Sequence, residues 1–428
     1  MQGTGLNIEL VLTQLKQLRT LTGDDHGAQR VAFTPAWQAA RAWFQEQLRG
    51  MPVEVHMDAA GNLWTTLRGG DERELLLGGH LDSVPNGGWL DGCLNVLAGL
   101  AVLRRLATQY DGRPPMTVRL VDWADEEGAR FGKSLFGSSA CSGTLDLTAA
   151  RGLRDRAGVT LPDALRAVGI DFERVLESGR ELRHAAAYLE FHIEQGPVLE
   201  SMGRSLGAVT GTFGVERHVL TFTGRAAHAG STPMAVRQDA FLAAARLAPE
   251  LYRLTNEWGG VATIGSCETR PGIPTSVVAE CRLTLDLRHL DPAALAALRD
   301  GAWSAAERFA REGGCTVVWS PLLRIAPVPF HPELIAGCQA AVTVITGHNP
   351  PRLPSGPLHD AAETARAGVP TGMMFVQSLG GVSHHPAEAT REEHLREAVA
   401  ALDRWTQATM GWILGWPAGG EPVTKEVV

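Results

Sequence analysis

The feature that most constrains the fold is a set of short apolar runs that stop abruptly at glycine or at charged residues. ELLLGG (74–79), MTVRLVDWA (116–124), AAYLEFHIE (186–194) and TGMMFV (371–376) read as buried strands. Helical segments alternate with them. Residues 35–49 open with Thr34-Pro35 and close at Gly50, LNVLAGLAVLRRL fills 94–106, and a long helix starts near 391. The N-terminal stretch ending at Leu18 has the Leu and Val spacing of an amphipathic helix. Alternating strands and helices predict an α/β domain with a mostly parallel sheet.

The middle of the chain follows a different rule. VERHVLTFTG (215–224) alternates with a period of two, and a helix is expected at 237–256. A strand over 276–288, a helix from Pro292 to about 312 and a strand over 315–328 complete the set. Strand–helix–strand repeated in this way predicts a ferredoxin-like α+β sandwich. A chain of 428 residues is too long for one ordinary domain. The expected organisation is therefore a discontinuous larger domain, 1–213 with 329–428, and an inserted domain at 214–328. The tail from Pro417 is expected to be disordered.

Composition removes several classes of function. Hydrophobic residues make up 44% and charged residues 20%, a globular balance, and the net charge is −8. No strongly basic run invites nucleic acid or an anionic membrane. No apolar stretch is long enough to cross a bilayer, and the N-terminus lacks the build of a signal peptide. The six cysteines are scattered without C-x-x-C pairs, as expected of reduced thiols in a cytoplasmic protein.

The chemistry sits where the strands end. His80 follows the first apolar run in GGHLDSVPNGGWLDG (78–92). Asp82 is close enough to support its imidazole, and glycines allow Asp91 to turn back towards it. WADEEGARFG (123–132) ends a second strand in Asp125, Glu126 and Glu127, which repel one another unless cations neutralise them. His192 and Glu194-Gln195 close a third strand, and GGVSHHPAEAT (380–390) follows a fourth with His384 and His385. Taken singly, these segments also read as a glycine-rich turn, an acidic loop and a buried core histidine. Taken together, they bring imidazole and carboxylate ligands to one edge of a sheet, where open α/β folds bind ligands. That mixture suits Zn, Mn, Co or Ni. A carboxylate can bridge two cations, and one left over can accept a proton from water.

HLDSVPNGGWLDG, DEEGARFG, FHIEQGPVLE, AAHAGSTPM, SGPLHDA and GVSHHPAE, spanning about 78 to 390, resemble a known group. This is the co-catalytic metallopeptidase/amidase superfamily, in particular its N-carbamoyl-L-amino-acid hydrolase, β-ureidopropionase and allantoate amidohydrolase branch. The resemblance implies an aminopeptidase-like catalytic domain, an inserted lid and dimerisation domain, two divalent cations per chain, a small-molecule substrate and a homodimer. It implies that His80, Asp91 and His384 hold one cation and Asp91, Glu127 and His192 the other. Glu126 is implied as general base, with Asp82 as the supporting acid. His228 resembles an oxyanion-stabilising histidine of the lid, and Gln195, Arg288 and His359 are implied as substrate contacts.

The sequence also departs from the pattern. Thr275 stands where the family has a carboxylate-binding asparagine, Asn95 replaces a common glycine, and SGPLHDA replaces S-G-A-G-H-D-A. These changes spare the implied ligands and fall on the substrate side. The expected activity is hydrolysis of a linear amide or ureido C–N bond, with an N-carbamoyl amino acid or allantoate as substrate. The alternatives are an aminoacylase or dipeptidase, and a non-catalytic binding protein on the same fold.

Overall fold

A computed structural model of the chain describes residues 5–415, so the tail from Pro417 lies outside the described residues. The chain divides into two compact units, Met1–Thr210 with Phe330–Val428, and Gly211–Pro329. In chain order their principal strands are β1 (Glu54–Met57), β2 (Leu63–Leu67), β3 (Glu74–His80), β4 (Thr117–Trp123), β5 (Ala185–Ile193) and β6 (Leu206–Thr212). There follow β7 (Gly214–Thr223), β8 (Val261–Arg270), β9 (Glu280–His289), β10 (Thr316–Ile325) and β11 (Thr371–Val376).

In the larger unit these strands lie in the order β6–β11–β5–β3–β4–β2–β1. The central four, β11, β5, β3 and β4, run parallel. The outer strands are antiparallel. The parallel strands are continuous apolar runs because helices cover both their faces, and β3, β4 and β11 are buried from end to end. The helix Cys93–Gln109 is buried along most of its length. It lies so close to β3 that a Cβ on Gly79 would come within 2.3 Å of the Asn95 Cβ. Because the four central strands are parallel, their C-terminal ends share one edge, with His80 in register with Trp123 and His192 with Phe375.

The smaller unit has the order β8–β9–β7–β10, antiparallel throughout. Its helices pack on one face around Leu220, Phe222, Leu285 and Leu298. This is the ferredoxin-like βαββαβ arrangement. Its details correct the expectation. The single helix of 237–256 is two, Ala240–Ala245 and Leu247–Trp258, because Pro249 has no N–H to continue the ladder. The strand expected from 276 begins at Glu280, and β8 was not expected at all. β8 is an edge strand that is exposed or half-buried throughout, with a register shift around Gly265, so it lacks a continuous apolar run.

One buried ion pair connects the fold to the site. Arg41 donates from Nε to Asp122 Oδ2 at 2.7 Å, while Asp122 Oδ1 accepts from the Leu81 N–H at 2.8 Å, one residue past His80. Replacing Asp122 by Ala strands a buried guanidinium and a buried N–H together. Asp122→Ala is expected to lower unfolding free energy by about 3–5 kcal/mol in denaturant titrations. Asp122→Asn, which keeps an oxygen for one of the two donors, should lose less.

Candidate metal centre and active site

Each sheet end delivers one part of the site. His80 is the last residue of β3 and His192 the penultimate residue of β5. His80 Nδ1 donates to the Asp82 carbonyl at 3.1 Å, and His192 Nδ1 to the Ile193 carbonyl at 2.9 Å. Both rings therefore carry a proton on Nδ1 and turn Nε2 inward. Those Nε2 atoms are buried without a hydrogen-bond donor among the described residues and lie 3.6 Å and 3.1 Å from Asp91 Oδ1. Burial opposes a charge on either ring, yet Glu126, Asp82 and Asp91 hold His80 well above the usual imidazole range and Asp91 holds His192 above it. Buried imidazole nitrogens gathered round one carboxylate oxygen are a donor set that suits a cation. The other Asp91 oxygen, Oδ2, lies 3.4 Å from His384 Nε2, which in turn is 3.3 Å from Glu127 Oε2.

Two groups of metal-ligating atoms result: His80, Asp91 and His192, and Asp91, Glu127 and His384, each with its atoms within 4.8 Å of one another. Asp91 is common to both. The division differs from the one the resemblance implied, because His80 goes with His192 and Glu127 with His384. The adjacent parallel strands β3 and β5 bring the two histidines to one side of Asp91. His384, and not His385, enters the group; His385 Nδ1 accepts from the Ala387 N–H at 3.1 Å.

Glu126 belongs to neither group, yet its Oε2 is 3.8 Å from His80 Nε2 and it lines the same cavity. Burial pushes the Glu126 carboxyl well above the usual carboxylate range, and Asp360 and Glu127 add to this against the pull of His80. Burial likewise raises Glu127, to about 7, with Asp91 reinforcing it. Such a crowd of buried carboxyls calls for positive charge. Asp82 faces two neighbours. Its carboxylate lies 3.6 Å from His80 Nδ1 and also accepts the N–H groups of Glu126 and Glu127, each at 3.2 Å. Thus Asp82 holds the acidic loop, and its carbonyl holds the histidine.

The cavity has a volume of about 510 Å³ and is also lined by Gln195 and His359. Gln195 donates to Asp91 Oδ2 at 2.8 Å. The His359 ring packs 4.5 Å from that of His192, and burial, with His192 beside it, holds its basicity well below that of an ordinary imidazole. It is a neutral ring with an unpartnered Nε2 among the described residues. Three non-glycine residues of the loops around the cavity have left-handed backbone: Asp125, Gln195 and His384, with φ of 55°, 59° and 54°. Strain of this kind persists only where surrounding contacts enforce it.

The smaller unit carries the remaining expected residues. His228 is exposed, and its Nδ1 accepts from the N–H groups of Gly230 and Ser231, both at 3.1 Å. Both bonds use the Nδ1 lone pair, which leaves the ring proton on Nε2 as an outward donor. Thr275 is in the same local structure, since its carbonyl accepts from Ala229 N–H at 2.9 Å and Ser276 bridges to His228. Arg288 lies near the C-terminal end of β9, where it donates to Asp286 at 2.7 Å. Residues 280 to 288 are extended, so about 26 Å of strand separates this end from the Thr275 end. Thr275 and Arg288 of one chain therefore lie too far apart to grip one carboxylate together.

The model of peptidase family M20/M25/M40 matches residues 76–408. The chain belongs to this family. Relatives of this M20-family chain include the N-carbamoyl-L-amino acid amidohydrolase of Geobacillus stearothermophilus, 36% identical over 374 residues, or 86% of this chain and 90% of that one. The allantoate amidohydrolase of Escherichia coli (strain K12) is 33% identical over 397 residues, 91% of this chain and 93% of the relative. Among solved structures, an amidase of the hydantoinase/carbamoylase family from Burkholderia multivorans superposes with a TM-score of 0.85 at 28% identity. It covers 94% of this chain and 97% of its own.

Two features of the M20-family site escaped the sequence reading. Glu388 appeared there only as part of a pattern; in the structure its buried carboxylate accepts from the Leu90 and Asp91 N–H groups at 2.9 Å and 3.1 Å. Ser383 donates towards Asp91 Oδ2 at 3.0 Å. The available signal was the spacing S-H-x-P-x-E, in which a glutamate follows a candidate ligand by four residues. Gly92 is the other tight point: its φ is +66°, and a Cβ there would lie 2.4 Å from the His80 ring. Gly92→Ala should therefore push His80 aside. Elemental analysis of the purified variant is expected to show less bound divalent cation than wild type, with Gly143→Ala, which meets nothing within 4 Å, as the control for left-handed strain alone.

Proposed function

We propose that this chain hydrolyses a linear ureido C–N bond, that of an N-carbamoyl amino acid or a related ureido acid such as allantoate, with two divalent cations. The single observation that carries the reading is Asp91, one carboxylate shared by two ligand groups with an uncommitted buried carboxyl, Glu126, beside them. The names of the relatives, an N-carbamoyl-L-amino acid amidohydrolase and an allantoate amidohydrolase, support the bond type.

In this reading His80, Asp91 and His192 hold one cation and Asp91, Glu127 and His384 the other. When bound, the cations polarise the substrate carbonyl and make water more acidic. Glu126 takes the proton of the attacking water and returns it to the leaving nitrogen. Asp82 keeps Glu126 in place through its backbone N–H. His228 offers its Nε2 proton to the oxygen that gains charge, an interaction made mainly in the transition state. Gln195 and His359 contact the substrate within the cavity, and Arg288 takes its carboxylate. A carbamoyl substrate yields an amine and carbamic acid, which decays to ammonia and carbon dioxide.

We further propose that the working form is a homodimer in which the smaller unit is the lid and dimerisation domain. His228 with Thr275 and Arg288 mark opposite ends of one sheet, so one active site draws them from different chains. The cytoplasm suits such an enzyme; no helix among the described residues is long and apolar enough to cross a membrane.

Ammonia release from N-carbamoyl amino acids and allantoate should vanish with a chelator and return on adding Mn, Zn, Co or Ni. Glu126→Gln should retain cation and lose about 10²–10⁴-fold in kcat. An undiminished rate in that variant removes Glu126 from the mechanism, and exclusive turnover of N-acyl amino acids would favour an aminoacylase. The shared site is tested by mixing two impaired variants. His228→Ala and Arg288→Ala homodimers should each be deficient, and refolding them together should recover part of the wild-type rate in mixed dimers. No recovery means both residues serve the same chain's site.

A further inference from the structure

Ser383 faces a choice that the rest of the site depends on. Its single hydroxyl proton has two carboxylate acceptors: Asp91 Oδ2 at 3.0 Å and Glu388 Oε2 at 3.1 Å. Asp91 Oδ2 is also the oxygen that faces His384, on the side of the group completed by Glu127. A proton donated to that oxygen occupies a lone pair that a cation there would need.

Glu388 is built into this position rather than merely near it. It is 2% exposed, and its Oε1 accepts from the Leu90 and Asp91 N–H groups. Its carbonyl accepts from the Trp89 indole at 3.0 Å. Gly88 leaves the room, since a Cβ there would lie 2.0 Å from the carboxylate. One carboxylate thus ties the backbone of the Asp91 loop to the hydroxyl beside His384.

We propose that Glu388 is a positioning residue that draws the Ser383 proton to itself, so that Asp91 Oδ2, which already accepts from Gln195 at 2.8 Å, keeps its second lone pair for the cation shared with Glu127 and His384. This rests on the two-cation reading above. The direction of the Ser383 bond is the core of the inference, and it makes a prediction that bracing alone does not. In Glu388→Gln the amide oxygen still accepts from Leu90 and Asp91, so the loop keeps its shape. The new NH₂ donates to Ser383 Oγ, and the Ser383 proton is forced back onto Asp91 Oδ2. Removing that hydroxyl should then help rather than harm.

The experiment is a cation titration of metal-stripped protein against a chromophoric chelator, read without any activity assay. Wild type is expected to bind two Zn²⁺ in separable steps. Glu388→Gln should weaken one step by about 10- to 100-fold, the usual scale for groups that support metal ligands, and leave the other within about twofold. Adding Ser383→Ala to Glu388→Gln should recover most of the lost affinity, and Ser383→Ala alone should bind as tightly as wild type or more tightly. The inference is overturned if Glu388→Gln binds like wild type, if both steps weaken alike, or if the double variant is no better than the single. If Glu388→Gln does not fold, weaker binding by Ser383→Ala alone overturns it. A wild type that binds no second cation would instead sink the two-cation reading, a different result from normal binding in Glu388→Gln.

Discussion

The carboxylate of Asp91 is the constraint from which the larger unit's site follows. Its Oδ1 faces two imidazoles on neighbouring strands, and its Oδ2 faces His384 and two hydrogen-bond donors. Such a group must be held without slack, because a small rotation favours one set of ligands over the other. The chain meets this need with glycines on either side, Gly88 giving room for Glu388 and Gly92 for His80. Burial opposes the charge on Asp91, but the imidazoles of His192, His384 and His80 outweigh it and hold the carboxyl well below the usual range. The parallel sheet supplies the other half of the arrangement, since it alone brings four strand ends to one edge.

Most of this was legible in the sequence where one residue type has one plausible use. Apolar runs that end in His80, Asp125-Glu126-Glu127 and His192 marked the strands and the candidate ligands together. The antiparallel margins were not legible, because EVHM of β1 is exposed throughout and carries no apolar signal. β8 was hidden for the same reason. Pairings across space were also hidden. Sequence order cannot say that His80 groups with His192 and not with His384, nor that the Asp82 carboxylate also takes the Glu126 and Glu127 N–H groups while its carbonyl takes the His80 Nδ1 proton. Those depend on strand order and on single torsions. Glu388 was visible as a letter in a pattern, but its role depends on Gly88 being unable to fill the same space.

The departure at Thr275 takes on a different meaning in the structure. A threonine in place of asparagine loses an amide donor and acceptor. Its carbonyl, however, keeps the His228 segment bridged to residues 275–277, through the Ala229 N–H and the bond from Val277 to Ala227. The side chain can vary while the backbone that presents the histidine stays. The identity of the Thr275 side chain and the placement of His228 are therefore separable at this position.

The larger unit is made of two stretches of chain with the smaller unit's residues between them. Strand β11 lies between β5 and β6, and His384 follows it. During synthesis the ribosome delivers β3, β4 and β5 first and β11 only after the whole of the inserted segment. Until then β5 has an open parallel edge and Asp91 lacks one side of its surroundings. The nascent chain can complete the His80 and His192 side early, but the His384 side only when the last tenth of the chain is made. A ribosome stalled before residue 371 would hold a protein with only one side of the Asp91 surroundings built and an exposed sheet edge, so a chaperone's protection is needed longest in that interval.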